Sequence, residues 1–249
     1  MVALQLAQYD IPVVDLDPAH EGLTIAHLSD VHVGMMTPRS RIREAVHLAN
    51  ASEPDLIFLT GDYVCYKKKH VPRMGEQLRG LQAKSGVVAT LGNHDYWTDG
   101  EGVAHELVSN GYDVLRNQNV QMRPRGVALT VVGIDDAVTK HHDVEKSFAG
   151  ASRRGTTLVL SHCPELADRA SEKGAHITLS GHTHGGQIHL PSVSERLYRR
   201  VTKRKYLTGW YRVGESLLYV NRGVGQSSIP VRAGAGARSE VAVFRLRRA

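Results

Sequence analysis

Leu23-Thr24-Ile25-Ala26-His27-Leu28-Ser29-Asp30-Val31-His32 reads as a buried strand that opens into two metal-ligand side chains. The pattern recurs four times. Residues 55–59 lead into Gly61-Asp62, and residues 87–91 into Gly92-Asn93-His94-Asp95. Residues 157–160 precede Ser161-His162, and residues 176–179 precede Gly181-His182-Thr183-His184. Each block sets hard oxygen or imidazole donors just after an apolar run. A row of strands that end this way describes one site at one edge of a sheet.

Helix patterns fill the spaces between these strands. Thr37 is the expected cap of a helix with Pro38 in its first turn, and Ile42, Ala45, Val46 and Ala49 line one face. Met74, Leu78 and Leu81 suit a second helix, and Leu107 and Val108 a third that Asn110-Gly111 stops. Residues 112–115 and 127–134 read as strands around a turn at residues 123–126. Leu166, Ala167 and Ala170 form a helix face closed by Gly174, and residues 217–220 and 240–246 read as late strands. Strand–helix alternation implies an α/β fold with a largely parallel sheet, whose ligands gather beyond the carboxyl ends of its strands. The extra strands imply a second sheet packed on the first. No repeat, low-complexity tract or linker interrupts residues 1–249, which read as one domain.

Composition bounds the function. A hydrophobic content of 41% and a charged content of 22% exclude bulk disorder. A net charge of +6 favours anionic partners: phosphorylated substrates, nucleic acid or a membrane surface. Cys65 and Cys163 form no CxxC pair and read as reduced thiols, which suits the cytoplasm. No apolar stretch approaches the roughly 18–20 residues that span a bilayer. Residues 1–9 show no signal peptide or anchor.

The donors decide the chemistry. Asp30 and His32, two apart, can face one point only where the strand has opened into a turn. Asp62 follows a glycine, and its two oxygens can bridge two cations. Asn93 offers a neutral amide oxygen, and His162, His182 and His184 offer imidazole nitrogens. A set of oxygen and nitrogen donors without thiolate suits Mn²⁺ best, with Fe or Zn²⁺ as alternatives. Singly, each block has an ordinary structural reading, since Gly-Asp is a common turn pair. Jointly they do not, because five strand ends would need matching ligand chemistry by coincidence. A two-metal centre clamps both oxygens of an in-line displacement and supplies hydroxide near neutral pH.

These ordered blocks resemble those of the calcineurin-like metallophosphoesterase family, over nearly the whole chain from Leu23 to Leu246. The resemblance implies a four-layer αββα sandwich with a dinuclear metal site at the sheet rim. It implies that Asp30, His32 and His184 hold one divalent ion, that Asn93, His162 and His182 hold the other, and that Asp62 bridges them. It makes His94 the group that touches the scissile phosphate and protonates the leaving oxygen. The implied activity is hydrolysis of phosphodiesters, and also of phosphomonoesters, by in-line attack of metal-bound hydroxide. One position departs from the pattern. Many members carry an aspartate three residues after the bridging one, where this chain has Cys65. A neutral thiol is a poor substitute for a carboxylate, so either His94 is a weaker acid–base group or Asp95 or another acid supports it.

Gly185-Gly186-Gln187, Gly209-Trp210-Tyr211, Asn221-Arg222-Gly223-Val224-Gly225 and Pro230-Val231-Arg232 resemble a bacterial envelope-associated branch. That branch is similar to UDP-2,3-diacylglucosamine pyrophosphatases, which makes a small or lipid-linked phosphate ester the expected substrate. Arg222 and Arg232 are candidate phosphate clamps. Tyr63, Tyr66, Tyr96 and Trp97 follow metal blocks closely and are candidate pocket walls. The basic stretch 196–205 can rest on anionic membrane from the cytoplasmic side, or form a solvated loop. Two other functions stay open: a scaffold protein on the same fold without catalysis, and a nuclease drawn to nucleic acid by charge.

Overall fold

Period-two burial in the central strands dictates a molecule of four layers. Strand β3 (Leu56–Thr60) is buried along its whole length. Its Leu56 and Phe58 join one apolar cluster and its Ile57 and Leu59 another. A strand with two apolar faces must be covered on both, and here a second sheet covers one face and helices the other. The computed structural model describes residues 4–34, 37–152, 154–186, 200, 205–226 and 238–249. Arg232 lies outside the described residues, as do 196–199 and 201–204 of the basic stretch.

The first sheet runs β1 (Gln5–Val13), β12 (Glu240–Arg248), β2 (Thr24–Leu28), β3, β4 (Val87–Thr90), β5 (Asp113–Val114). From β2 to β5 the strands are parallel, while β12 enters antiparallel to β2 and pairs parallel with β1. The second runs β10 (Gly209–Val213), β11 (Ser216–Val220), β9 (Ile177–Ser180), β8 (Thr157–Ser161), β7 (Leu129–Ile134), β6 (Gln118–Met122). Here β7, β8, β9 and β11 are parallel, and β6 and β10 are antiparallel edges. Helices α1 (Arg39–Ala51), α2 (Val71–Leu78) and α3 (Asn93–Ser109) cover the outer face of the first sheet through Ile42, Met74 and Val103. Helices α4 (Val144–Phe148) and α5 (Ala167–Glu172) cover the second through Val144 and Ala170. Between the sheets lie Ile25, Phe58, Leu160, Leu179, Tyr219 and Phe244.

Two local expectations are corrected, and one strand is added. Pro38, not Thr37, is the N-cap of α1, without a side-chain cap bond; Thr37 is buried and its hydroxyl accepts from the Gln226 amide at 3.2 Å. The turn at residues 123–126 joins β6 to β7, so its first strand is Gln118–Met122 rather than residues 112–115. Strand β1 goes unread in the sequence because only three of its nine residues are buried.

Arg222, the candidate phosphate clamp, forms an ion pair with Glu240. Its Nε donates to Glu240 Oε2 at 2.8 Å and its backbone amide to Oε1 at 2.9 Å. Glu240 is fully buried and also accepts from the Tyr219 hydroxyl at 2.8 Å. Arg222 follows β11 and Glu240 opens β12, so the pair ties one sheet to the other. Arg222→Met strands a buried carboxylate and should cost about 3–5 kcal/mol, roughly 6–20 °C in melting temperature. Thermal unfolding measures it, and a stable but inactive variant would return Arg222 to the phosphate.

Candidate metal centre

Parallel strands end at one edge, so β2, β3 and β4 deliver their following residues beside those of β8 and β9. The backbone then bends sharply. Asp30, His32, Asp62, His182 and His184 all have positive φ, between 50° and 73°. None is glycine, and each left-handed residue costs about 1–2 kcal/mol. Strain of this kind concentrates where side chains must be aimed.

Five bends, with His162 from the end of β8, bring six donors into one cluster. His32 Nε2 lies 2.9 Å from His184 Nε2, and Asp30 Oδ1 is 3.3 Å from His184 Nε2 and 3.8 Å from His32 Nε2. Beside this group, His162 Nε2 is 3.3 Å from Asp62 Oδ2 and 3.1 Å from His182 Nδ1. Asp62 Oδ2 also stands 3.7 Å from His32 Nε2, so one oxygen faces both groups. Asn93 begins α3, and its buried Oδ1 takes no hydrogen bond. Six of the seven candidate ligands thus meet at one rim, and Asn93 starts α3 immediately before His94.

The set fits cations. Adjacent ligands at about 2.1 Å from an octahedral ion stand about 3 Å apart, the scale of these separations. His162 Nδ1 donates to the Thr60 carbonyl at 2.7 Å, which turns Nε2 toward Asp62 and His182. Burial pushes the Asp30 carboxyl up to about 6; His162 opposes the rise and Asp62 adds to it. Burial also opposes the charge on Asp62, but His162, His32 and His94 outweigh it and hold its carboxyl far below the usual range. Imidazole nitrogens turned on one another, an amide oxygen without a hydrogen bond and two buried acids are all satisfied together by positive ions. Two tight approaches hold this geometry. A Cβ on Gly92 would strike Asp62 Oδ1, and one on Gly181 would strike Ser29 Oγ and Asp30 Oδ2.

His94 stands at the edge of the cluster, with its amide donating to Asp62 Oδ1 at 2.9 Å. Burial holds its ring below the usual histidine range, against the pull of Asp62. Asp95 does not support it. The Asp95 carboxylate accepts from the amides of Asp62 (2.8 Å), Tyr63 (2.8 Å), Val64 (3.3 Å) and Gly92 (2.9 Å). It clamps the Gly61-Asp62 loop to the start of α3. Cys65 Sγ lies 3.8 Å from His94 Nδ1 but only 2.7 Å from Nδ1 of the ligand His32. Burial and the Asp62 charge push its thiol well above the ordinary value, so it stays neutral beside both rings.

The aromatic expectations divide. Tyr63 is fully buried, its hydroxyl donating to the Thr90 carbonyl at 2.7 Å, so it belongs to the frame and walls no pocket. Tyr96 donates to Asp135 at 2.6 Å and stacks on His141 at 3.9 Å, which ties it to the second sheet. Tyr66 and Trp97 touch His94 instead. Sequence reasoning missed Asp136, buried after β7, which accepts from the Thr139 hydroxyl and amide at 2.6 Å and from the Cys163 thiol at 3.3 Å. Its position after an apolar run, like the five blocks, was the available signal.

The Asp95 clamp is testable. Asp95→Asn exchanges one acceptor oxygen for a donor facing backbone amides and should cost about 1–3 kcal/mol. Thermal melting checks it; unchanged stability would show that the clamp is not needed.

Residues 23–186 match the sequence model of the calcineurin-like phosphoesterase family. The chain is 31% identical over 259 residues to a zebrafish (Danio rerio) protein named transmembrane protein with metallophosphoesterase domain, covering 98% of this chain and 58% of that protein. It is 32% identical over 206 residues to phosphodiesterase YaeI of Escherichia coli, covering 81% of this chain and 74% of that one. The structure of a dimetal phosphatase from Danio rerio shares the fold, at a TM-score of 0.52 and 10% identity over 91% of this chain and 93% of that one. No helix among the described residues is long and apolar enough to cross a membrane.

Proposed function

The chain belongs to the calcineurin-like phosphoesterase family, and on that premise we propose that it is a phosphodiesterase built on two divalent metal ions. The observation that carries the reading is the double approach to one oxygen: Asp62 Oδ2 faces His32 Nε2 at 3.7 Å and His162 Nε2 at 3.3 Å. In this reading Asp30, His32 and His184 hold one ion and Asn93, His162 and His182 the other, with Asp62 between them. Mn²⁺ suits this donor set best, with Fe or Zn²⁺ next. When bound, such ions supply a nucleophile at neutral pH and neutralise charge on the phosphoryl oxygens.

The protein's own residues do the rest. Thr60 fixes the tautomer of His162, and Cys65 meets the far nitrogen of His32, so each ring is held from behind. The His182 amide donates to Asp30 at 3.0 Å, which locks the last block onto the first. His94 contacts the phosphate and hands a proton to the leaving oxygen. Its low ring pKa makes it a good donor once charged, and an arriving phosphate anion favours that charge. The net charge of +6 draws anionic esters toward the protein.

Three outcomes test the proposal. Chelation should abolish hydrolysis of bis(p-nitrophenyl) phosphate and Mn²⁺ should restore it; activity that survives complete metal removal would refute it. Asp62→Asn should lower metal content and nearly abolish turnover, whereas full occupancy with normal rates would contradict the bridge. His94→Ala should leave the metals bound and slow esters of poor leaving groups by about 10²–10⁴-fold, with a much smaller loss for p-nitrophenyl esters. An equal loss on both would assign His94 to phosphate binding alone.

A further inference from the structure

Two large aromatic rings stand out of the surface beside His94. Tyr66 is 52% exposed and Trp97 59% exposed. Each meets the His94 ring nearly edge to face, Tyr66 at 5.2 Å and 80°, Trp97 at 5.0 Å and 66°. On its inner side His94 meets the buried His32 ring at 4.9 Å. The proposed proton donor therefore has a metal-ligand ring behind it and two exposed aromatics on its solvent side.

Local structure holds both rings there. Trp97 follows His94 by three residues on α3, the spacing that brings side chains to one helix face. Two residues later α3 breaks at Asp99, whose carboxylate pairs with Lys68 Nζ at 3.1 Å. Lys68 is two residues after Tyr66, so the pair ties the two segments together. Tyr66 is itself left-handed (φ 59°), and the Lys67 amide donates to the Cys65 carbonyl across it at 2.8 Å. A bulky residue seldom adopts that conformation, and a half-exposed ring gains little from burial. Both features meet at His94, where strain of this kind aims side chains.

We propose that Tyr66 and Trp97 form a platform for the group that departs from the phosphorus, and that the favoured ester carries a planar aromatic group, a nucleobase or aryl ring, on its leaving alcohol. The inference rests on the proton-donor role proposed for His94. A ring that protonates the leaving oxygen stands next to it, so the remainder of that group emerges on the solvent side, between or against these rings. Aromatic side chains take flat rings by stacking, with little dependence on which ring is offered.

Paired diesters test this: methyl phenyl phosphate, and the methyl phosphate diester of a polyfluorinated alkanol of matched acidity, which removes differences in leaving-group strength. Trp97→Ala and Tyr66→Ala should each lower kcat/KM about tenfold on the phenyl ester, with little change on the fluoroalkyl ester and unchanged metal content. Trp97→Phe should keep most of the activity. Equal losses on both esters, or none on either, would overturn the platform, and a loss confined to a long-chain alkyl ester would overturn its aromatic class. Metal-dependent turnover of both esters by the unaltered protein tests the phosphodiesterase reading separately. Were neither hydrolysed, fluorescence still reads the platform. Adenosine monophosphate should quench Trp97 saturably, and Trp97→Phe, which retains Trp210, should lose that signal; no quenching would overturn the proposal.

Discussion

One carboxylate has to serve two sheets. Asp62 leaves the end of β3 in the first sheet, yet the imidazole nearest to it, His162, comes from the end of β8 in the second. Its other oxygen accepts the His94 amide, so the start of α3 is fixed by the same side chain. Everything at the rim depends on Asp62 holding its left-handed backbone, and Asp95 secures it with four amide contacts. The Arg222–Glu240 pair and the inter-sheet core hold the sheets in register farther in. Relative sheet position is thereby converted into ligand position.

Strain and charge oppose the fold at this rim, and cations would reverse that balance. Five of the candidate ligand residues sit in the left-handed region and two buried carboxylates face one another's field. Ions that bind only the native arrangement stabilise it by mass action. The rim would therefore gain stability and activity from the same ligands. Sites that break local rules while the rest of the chain obeys them are where function is expected.

The central strands and the candidate ligand residues that follow them were legible because both are written locally. A buried parallel strand is an apolar run, and its ligand follows within a few residues, as Asp62 follows β3 and His162 follows β8. Edge strands are not written this way. β6 and β10 are half exposed, and β1 finds its partner β12 from the opposite end of the chain. The donor groups at the rim were legible as residue types, but their hydrogen-bonding support was not. That Asp95 grips four amides rather than His94, that Cys65 lies nearer His32 than His94, and that Glu240 occupies Arg222 are consequences of tertiary approach. Tyr63 and Tyr96 looked like pocket walls by proximity in sequence, and packing turned both toward the frame.

The central claim is that the seven donors divide around Asp62 into two ion sites. Anomalous scattering from crystals grown with Mn²⁺ measures this directly. Two peaks about 3.5–4 Å apart, one beside His32 and His184 and one beside His162 and His182, with Asp62 between them, is the predicted result. A single peak, or peaks away from these residues, would contradict it.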